Sequence, residues 1–193
     1  VNKLEAGLSD RLVDIGVELV TSGGTAAVSL REIARHAGVS HGAPRRYFPT
    51  HLELLSAIAR RGFADLATQL GAAAAGSADG PRAQLAALGR AYLDFARSNR
   101  GMYELMFRHD LLESNQLGLR EVSLPLFRMV TTLVAEAQPP AGAAPEVVAG
   151  ALWANLHGIA QLWDWGSLQL ATGLGDVEPL LRAALDAHLS PRC

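Results

Sequence analysis

The chain has a single cysteine, Cys193, in 193 residues. One cysteine excludes an intrachain disulfide and a cysteine-built metal cluster, and it fits a reducing compartment. Long apolar runs are also missing. Although 49% of the residues are hydrophobic, no stretch approaches the ~20 apolar residues that cross a bilayer. The opening residues, VNKLEAGLSD, lack the apolar core of a signal peptide. The expected location is therefore the cytoplasm, with no membrane partner. Marks of catalysis are absent too: there is no hydrolase elbow, Walker loop, dinucleotide glycine pattern or zinc-protease pair. Neither an enzyme nor a cofactor is expected.

A formal net charge of -2 hides an uneven distribution. Residues 1–62 carry eight cations against six acids, whereas residues 63–193 carry nine against 13. Within 31–61 there are six arginines and two acids, with His36, His41 and His51 besides. A small basic unit on an acidic body suits phosphate neutralisation, the main driving force of DNA association.

The basic stretch is also the most structured part of the sequence. Leu8, Leu12, Ile15, Leu19 and Val20 recur at helical spacing, which predicts a first helix over 4–22 stopped by Gly23-Gly24. Ser29 and Glu32 have capping-box spacing, so a short second helix runs over 30–37 with Ile33, Ala34 and Ala37 inward. Gly38 supplies the tight turn, and Val39 plugs the core beneath it. Ser40 is positioned to cap a third segment that reaches Phe48. Pro44 disturbs the opening of that segment, because it lacks an N–H. Pro49 ends it. Thr50 and Glu53 form a second capping box, which opens a helix through Leu70. Helix, short turn, helix is the helix-turn-helix arrangement; any alanine-rich helical hairpin shares part of the pattern.

The rest reads as helix. Gly71–Gly80 is either a loop or an alanine extension of the preceding helix. Pro81 opens a helix that breaks at Asn99-Arg100-Gly101. Met102 to Phe107 is a soft, aromatic segment, and Ser123 with Pro125 starts the next helix. QPPAGAAP (138–145) is a connector. A long apolar helix is expected over 146–167, and Asp176 with Pro179 opens a last one ending near Leu189. The fold class is all-α with about nine helices. It comprises an N-terminal three-helix DNA-binding domain (1–62) and a helical effector-binding and dimerisation domain (63–193).

Several residues invite chemistry. Arg31, Arg35, Arg45 and Arg46 can clamp phosphates or read guanine edges, or form a solvated charged face. The three histidines at 36, 41 and 51 have poor spacing for a metal site, and none is expected. His157, in WANLHGIAQLWDW, is either a polar anchor in a ligand cavity or a satisfied core histidine. As a general base it would want a carboxylate orienter and a nucleophile; Asp164 is two turns away, and no serine is obviously paired. Met102, Tyr103, Met106 and Phe107 can line a pocket or fill ordinary core. Phe95, Phe127 and Gln161 complete the candidate lining. Trp163 and Trp165 point to different sides of their helix, one to the core and one to a subunit contact. Terminal helices this apolar favour burial against a symmetric partner.

AVSLREIARHAGVSHGAPRRYFPTHLELLSAI resembles the DNA-binding domain of the TetR family of transcriptional regulators. The match is carried by Ala34, Gly38, Val39-Ser40, Arg45-Arg46-Tyr47-Phe48 and Thr50. AYLDFARSNRGMYELMF (91–107) and LWANLHGIAQL (152–162) resemble a C-terminal domain type named for its Trp, His and Gly, here Trp153, His157 and Gly158. The resemblance implies a homodimer joined through the last two helices. It also implies double-stranded DNA with a palindromic operator, and a small-molecule effector that releases the DNA; the apolar candidate lining makes an apolar or aromatic effector the default. Ser29 and Thr50 would offer hydroxyls and helix N-termini to the backbone. Arg45, Arg46 and Tyr47 would reach bases or phosphates, with Ser40 and His41 near the groove and Arg31 flanking. The sequence departs from the family at Arg45, where tyrosine is usual, and at Tyr47, where histidine is common. His51 replaces a lysine and is a weaker, pH-dependent phosphate contact. A helical small-molecule-binding or interaction protein with degraded DNA specificity is the alternative.

Overall fold

The glycines and capping hydroxyls punctuate a wholly helical chain. A computed structural model describes residues 3–77, 79–137 and 142–189. Among these are ten α-helices: α1 (Lys3–Gly23), α2 (Leu30–Ala37), α3 (His51–Ala75), α4 (Pro81–Ser98), α5 (Arg100–Met106), α6 (His109–Ser114), α7 (Leu119–Glu136), α8 (Pro145–Asp164), α9 (Ser167–Thr172) and α10 (Glu178–Leu189). Three short 3-10 turns lie at Thr25–Ala27, Pro44–Arg46 and Gln116–Gly118. Cys193 and residues 138–141 of the connector lie outside the described residues.

The chain forms two compact units, one of residues 1–65 and 99–123, the other of 66–98 and 124–193. In the first, α1 packs on α2 and α5. Its core includes Leu12, Ile33, Leu54, Leu55, Ile58 and Phe63. Gly101 lets α5 approach α1, since a Cβ there would meet the Val20 carbonyl oxygen. In the second, α4, α8 and α10 pack mutually, and the Arg90 guanidinium grips the Glu178 carboxylate through two bonds of 2.8 Å.

Three expected boundaries are corrected. The segment after Gly38 is not an α-helix from Ser40: a turn over 41–43 leads into the 3-10 turn. Pro44 cannot donate to the Ser40 carbonyl, which instead accepts from the Ala43 N–H at 2.9 Å, and Ser40 caps nothing. Helix α7 starts at Leu119 rather than Ser123. The Arg120 N–H donates to Asn115 Oδ1 at 2.8 Å, and Pro125 sits inside the helix. The helix expected to reach Ser167 ends at Asp164, because Gly166 turns left-handed (φ 74) and separates α9. Of the two readings of 71–80, the alanine extension holds: α3 runs to Ala75.

Candidate nucleic-acid interface and the polar pair of the second unit

Two helix starts and a tight turn build the candidate reading surface, all within the first unit. Ser29 caps α2, its hydroxyl accepting from the Glu32 N–H at 3.1 Å. Gly38 ends α2 at φ 66, and its N–H and that of Val39 close the last turn. Arg11 of α1 donates to the Ala37 carbonyl at 2.7 Å, placing a cation at the negative end of α2. At the start of α3 the capping box is reciprocal: Glu53 N–H donates to Thr50 Oγ1 at 3.1 Å, and Thr50 N–H to Glu53 Oε2 at 3.2 Å.

Between these caps the 3-10 turn tucks Pro44 and Phe48 into the core and leaves Arg45 and Arg46 exposed. Ser29, Arg31, Ser40, His41, Thr50 and His51 are exposed as well, while Tyr47 and Val39 are half-buried. The side chains of Arg31, Arg45 and Arg46 make no ion pair or hydrogen bond among the described residues. Arg35 is different. Its Nε donates to the Glu32 carboxylate at 2.9 Å, and that bond holds the Glu32 carboxyl below its usual range. Its Nη2 also lies 2.5 Å from His36 Nε2. His51 turns Nε2 to the Val28 carbonyl at 3.0 Å. A carbonyl only accepts, so that nitrogen carries the proton.

The candidate effector residues divide between the units. Met102, Tyr103, Met106 and Phe107 belong to the first. Tyr103 and Phe107 rings lie 5.0 Å apart, and Phe107 meets Phe63 edge-on at 5.6 Å. Met102 and Met106 press against Gly62, where an added Cβ would sit 2.6 Å from Met106 Sδ. Phe95, Phe127, His157 and Gln161 belong to the second. His157 is half-buried, and burial pulls its pKa below the usual value. Its Nδ1 lies 2.9 Å from Tyr92 Oη, which accepts from Trp153 Nε1 at 3.3 Å. Tyr92 Oη can either donate to Nδ1 or accept from it, according to the tautomer of the ring. Phe127 stacks edge-on against Trp153 at 6.2 Å. Tyr92, 65 residues away in sequence, is thus a partner of His157. The expectation of one core tryptophan fails: Trp163 is half-buried and Trp165 is 63% exposed. His36 and His51 are committed elsewhere, and no group of metal-ligating side chains gathers among the described residues. No helix among them is long and apolar enough to cross a membrane.

Comparison with known proteins agrees with this geometry. Residues 12–58 match the model described as bacterial regulatory proteins, tetR family, and residues 85–188 match a tetracyclin repressor-like C-terminal domain. No curated protein matches the chain in sequence. Among solved structures, a protein of unknown function from Rhodococcus sp. RHA1 is 30% identical, with TM-score 0.80 over 93% of this chain and 92% of that one. The multidrug binding protein EbrR, solved with imidazole, is 27% identical, with TM-score 0.59 over 93% of each chain. FadR from Bacillus subtilis, solved with stearoyl-CoA, shares the fold at 13% identity, with TM-score 0.70 over 94% of this chain and 97% of that one. Capped starts of α2 and α3 on either side of the Gly38 turn, on an all-α body, fit the DNA-binding transcriptional regulators that the two family models describe. The chain belongs to the TetR family of such regulators, whose members are not enzymes.

Proposed function

We propose that the protein is a cytoplasmic bacterial repressor that binds a palindromic operator as a homodimer and leaves it when a small apolar or aromatic molecule binds. Residues 1–62 form the DNA-binding domain, and residues 63–193 hold the effector and the dimer contact. The observation that carries this reading is the cluster of exposed, unpaired Arg31, Arg45 and Arg46 between two capped helix N-termini. Three uncompensated cations on one small surface suit neutralisation of a phosphate backbone. Ser29 and Thr50, with the N–H groups behind them, contact phosphates. Arg45 and Arg46 contact bases or phosphates, Tyr47 supports them, and Ser40, His41 and Arg31 flank the groove. His51 reaches phosphate only as the imidazolium, because neutral Nδ1 is an acceptor once Nε2 has donated to Val28.

Dimerisation through the last two long helices, α8 and α10, is supported by their exposed faces. On α8 a stripe of Val147, Ala151, Ala154, Gly158 and Leu162 recurs at helical spacing and continues into the exposed Trp165. On α10 Pro179, Ala183 and Ala187 do the same. Small and apolar side chains on an unpaired face suit close helix packing against a second copy. His157 with Tyr92 supplies a polar pair beside Phe95, Phe127 and Gln161 for an effector. Met102, Tyr103, Met106 and Phe107, in the first unit, form a separate candidate lining. The multidrug binding of EbrR supports an apolar or aromatic guest.

The 3-10 turn favours a second reading, a helical binding protein with degraded sequence specificity, because three residues offer a short reading edge. Footprinting the DNA upstream of its own gene separates the two. A protected palindrome at moderate salt supports the repressor. Weak, sequence-indifferent binding supports the second reading, and no binding by the dimer refutes both.

A further inference from the structure

The last carbonyl of α2 is held from outside its own helix. The final carbonyls of any helix lack internal partners. Here the Val39 N–H takes that of Ala34 at 3.1 Å, and the Gly38 N–H takes that of Arg35 at 3.2 Å. The carbonyl of Ala37, a buried residue, is taken by α1: Arg11 Nη2 donates to it at 2.7 Å. Ala37 is also where the chain leaves α2 for the reading edge. Gly38 turns left-handed at φ 66, and the turn over 41–43 leads into Pro44–Arg46. Arg45 and Arg46 therefore lie between the Ala37 end of α2 and the buried Phe48.

Helix α1 meets α2 at a second point. A Cβ added at Gly16 would collide with Ile58 of α3 and lie 3.4 Å from Ile33 of α2. One contact lets α2 pivot, whereas two fix its angle. Ile33 and Ala37 are four residues apart, ~6 Å along the axis. A pivot of ~10° about Ile33 would shift the Ala37 end by ~1 Å. That exceeds the ~0.5 Å within which a binding constellation has to be held. Ile33 and Ala34, both 0% exposed, keep α2 in the core without Arg11. The bond from Arg11 thus governs the angle of α2 and not its folding.

We propose that Arg11 is a positioning residue for DNA reading. By holding the Ala37 carbonyl to α1, it fixes where Arg45 and Arg46 stand relative to the capped starts of α2 and α3. Every group involved belongs to the first unit. Arg11 itself touches no nucleic acid. The inference rests on the DNA-binding reading above and names a residue on which its sequence discrimination depends.

The test compares wild type, R11M and R11K on two DNA fragments, one from upstream of its own gene and a scrambled one of the same length. Amide exchange is followed at Gly38 and Val39. Methionine keeps an apolar stem and loses the donor. R11M is expected to bind the upstream fragment roughly 10-fold more weakly, the equivalent of one hydrogen bond to a charged group. Its binding to the scrambled fragment should stay within ~2-fold and its salt slope should not change, because Arg31, Arg45 and Arg46 still neutralise phosphates. Exchange at Gly38 and Val39 should rise, since their bonds close the turn that Arg11 holds. Only Nη2 donates to Ala37, so a single ammonium can replace it, and R11K should recover most of the lost affinity.

An arginine that merely stabilised the fold would lower both affinities together. One that contacted phosphate would lower the salt slope by about one when removed. Either result overturns the assignment, as does unchanged exchange in R11M, unchanged affinity in R11M, or R11K as weak as R11M. A wild type that binds both fragments alike, or neither, overturns the DNA-reading function instead, and the exchange data still decide whether Arg11 holds the turn.

Discussion

Replacing Tyr92 by phenylalanine removes one hydroxyl and tests the polar pair of the second unit directly. The bond lost is the 2.9 Å contact to His157 Nδ1, a neutral hydrogen bond of about 1 kcal/mol. The Trp153 N–H donates to the same oxygen at 3.3 Å, near the limit of useful geometry, and adds little. His157 is only half-buried, so water can reach the vacated nitrogen, and the full penalty of an orphaned buried polar atom does not apply. Y92F should therefore cost about 1–1.5 kcal/mol, a drop of roughly 2–5 °C in Tm for a chain of this length. The pH dependence separates the two partners. Burial depresses the folded pKa of His157 below that of the unfolded chain. Below pH ~6.5 the unfolded chain takes a proton that the folded one resists, so the stability that His157 contributes is complete above that value and lost as pH falls. Because the cause is burial rather than Tyr92, Y92F should lower the whole curve and keep its acid slope, whereas H157Q should flatten the slope. Urea unfolding at pH 7.5, 6.5 and 5.5, at fixed protein concentration, measures both. A Y92F cost below ~0.3 kcal/mol, or an acid slope unchanged in H157Q, would refute this account.

The remaining expectations concern the first unit. R46A should weaken operator binding, lower the salt slope by about one and leave the dimer intact by sedimentation; binding unchanged across salt concentrations removes Arg46 from the interface. Gly101→Ala and Gly62→Ala should differ sharply, although both put alanine into a helix, a gain of up to ~1 kcal/mol. At Gly101 the new Cβ meets the Val20 carbonyl oxygen and lies 3.1 Å from Gly24 Cα, all of it backbone, so a net loss of ~1–3 kcal/mol is expected. At Gly62 the obstacles are the flexible ends of Met102 and Met106, and the net change should stay within ~1 kcal/mol. Unfolding midpoints give the order, and a costlier Gly62→Ala would show that the methionines are rigid.

What the sequence made legible was local. The cap at Ser29, the left-handed Gly38, the box at Thr50 and Glu53 and the break at Asn99 each depend on residues at most four apart, and each stands where its pattern predicts. Errors arose where two local signals competed. At 40–48 a capping serine was read against a proline, and the proline won because a missing N–H cannot be compensated by a hydroxyl upstream. At Pro125 the same residue type was overread as a helix start. A helix already six residues long loses only one bond there, and Asn115 had capped it upstream. Gly166 was hidden by the apolar residues on either side. Long-range pairs left no trace: Tyr92 and His157 are 65 residues apart, and Arg60 and Leu117 are 57 apart. Nothing in spacing or composition could have joined them.

The makeup of the first unit has a consequence for the order of events during synthesis. Its residues come from two stretches, 1–65 and 99–123, separated by the 33 residues of 66–98. The basic stretch 1–62 is made before the side chains that cover Gly62 and Phe63, which follow some forty residues later. Until Met102, Met106 and Phe107 arrive, the nascent reading head exposes the apolar surface they will bury. Closing a loop of that length costs only modestly more entropy than closing a short one. The delay is therefore set by translation, at roughly 5–20 residues per second, and not by chain search. A fragment cut at residue 62 would keep both capped helix starts, truncate α3 and lose the side chains that cover its own core.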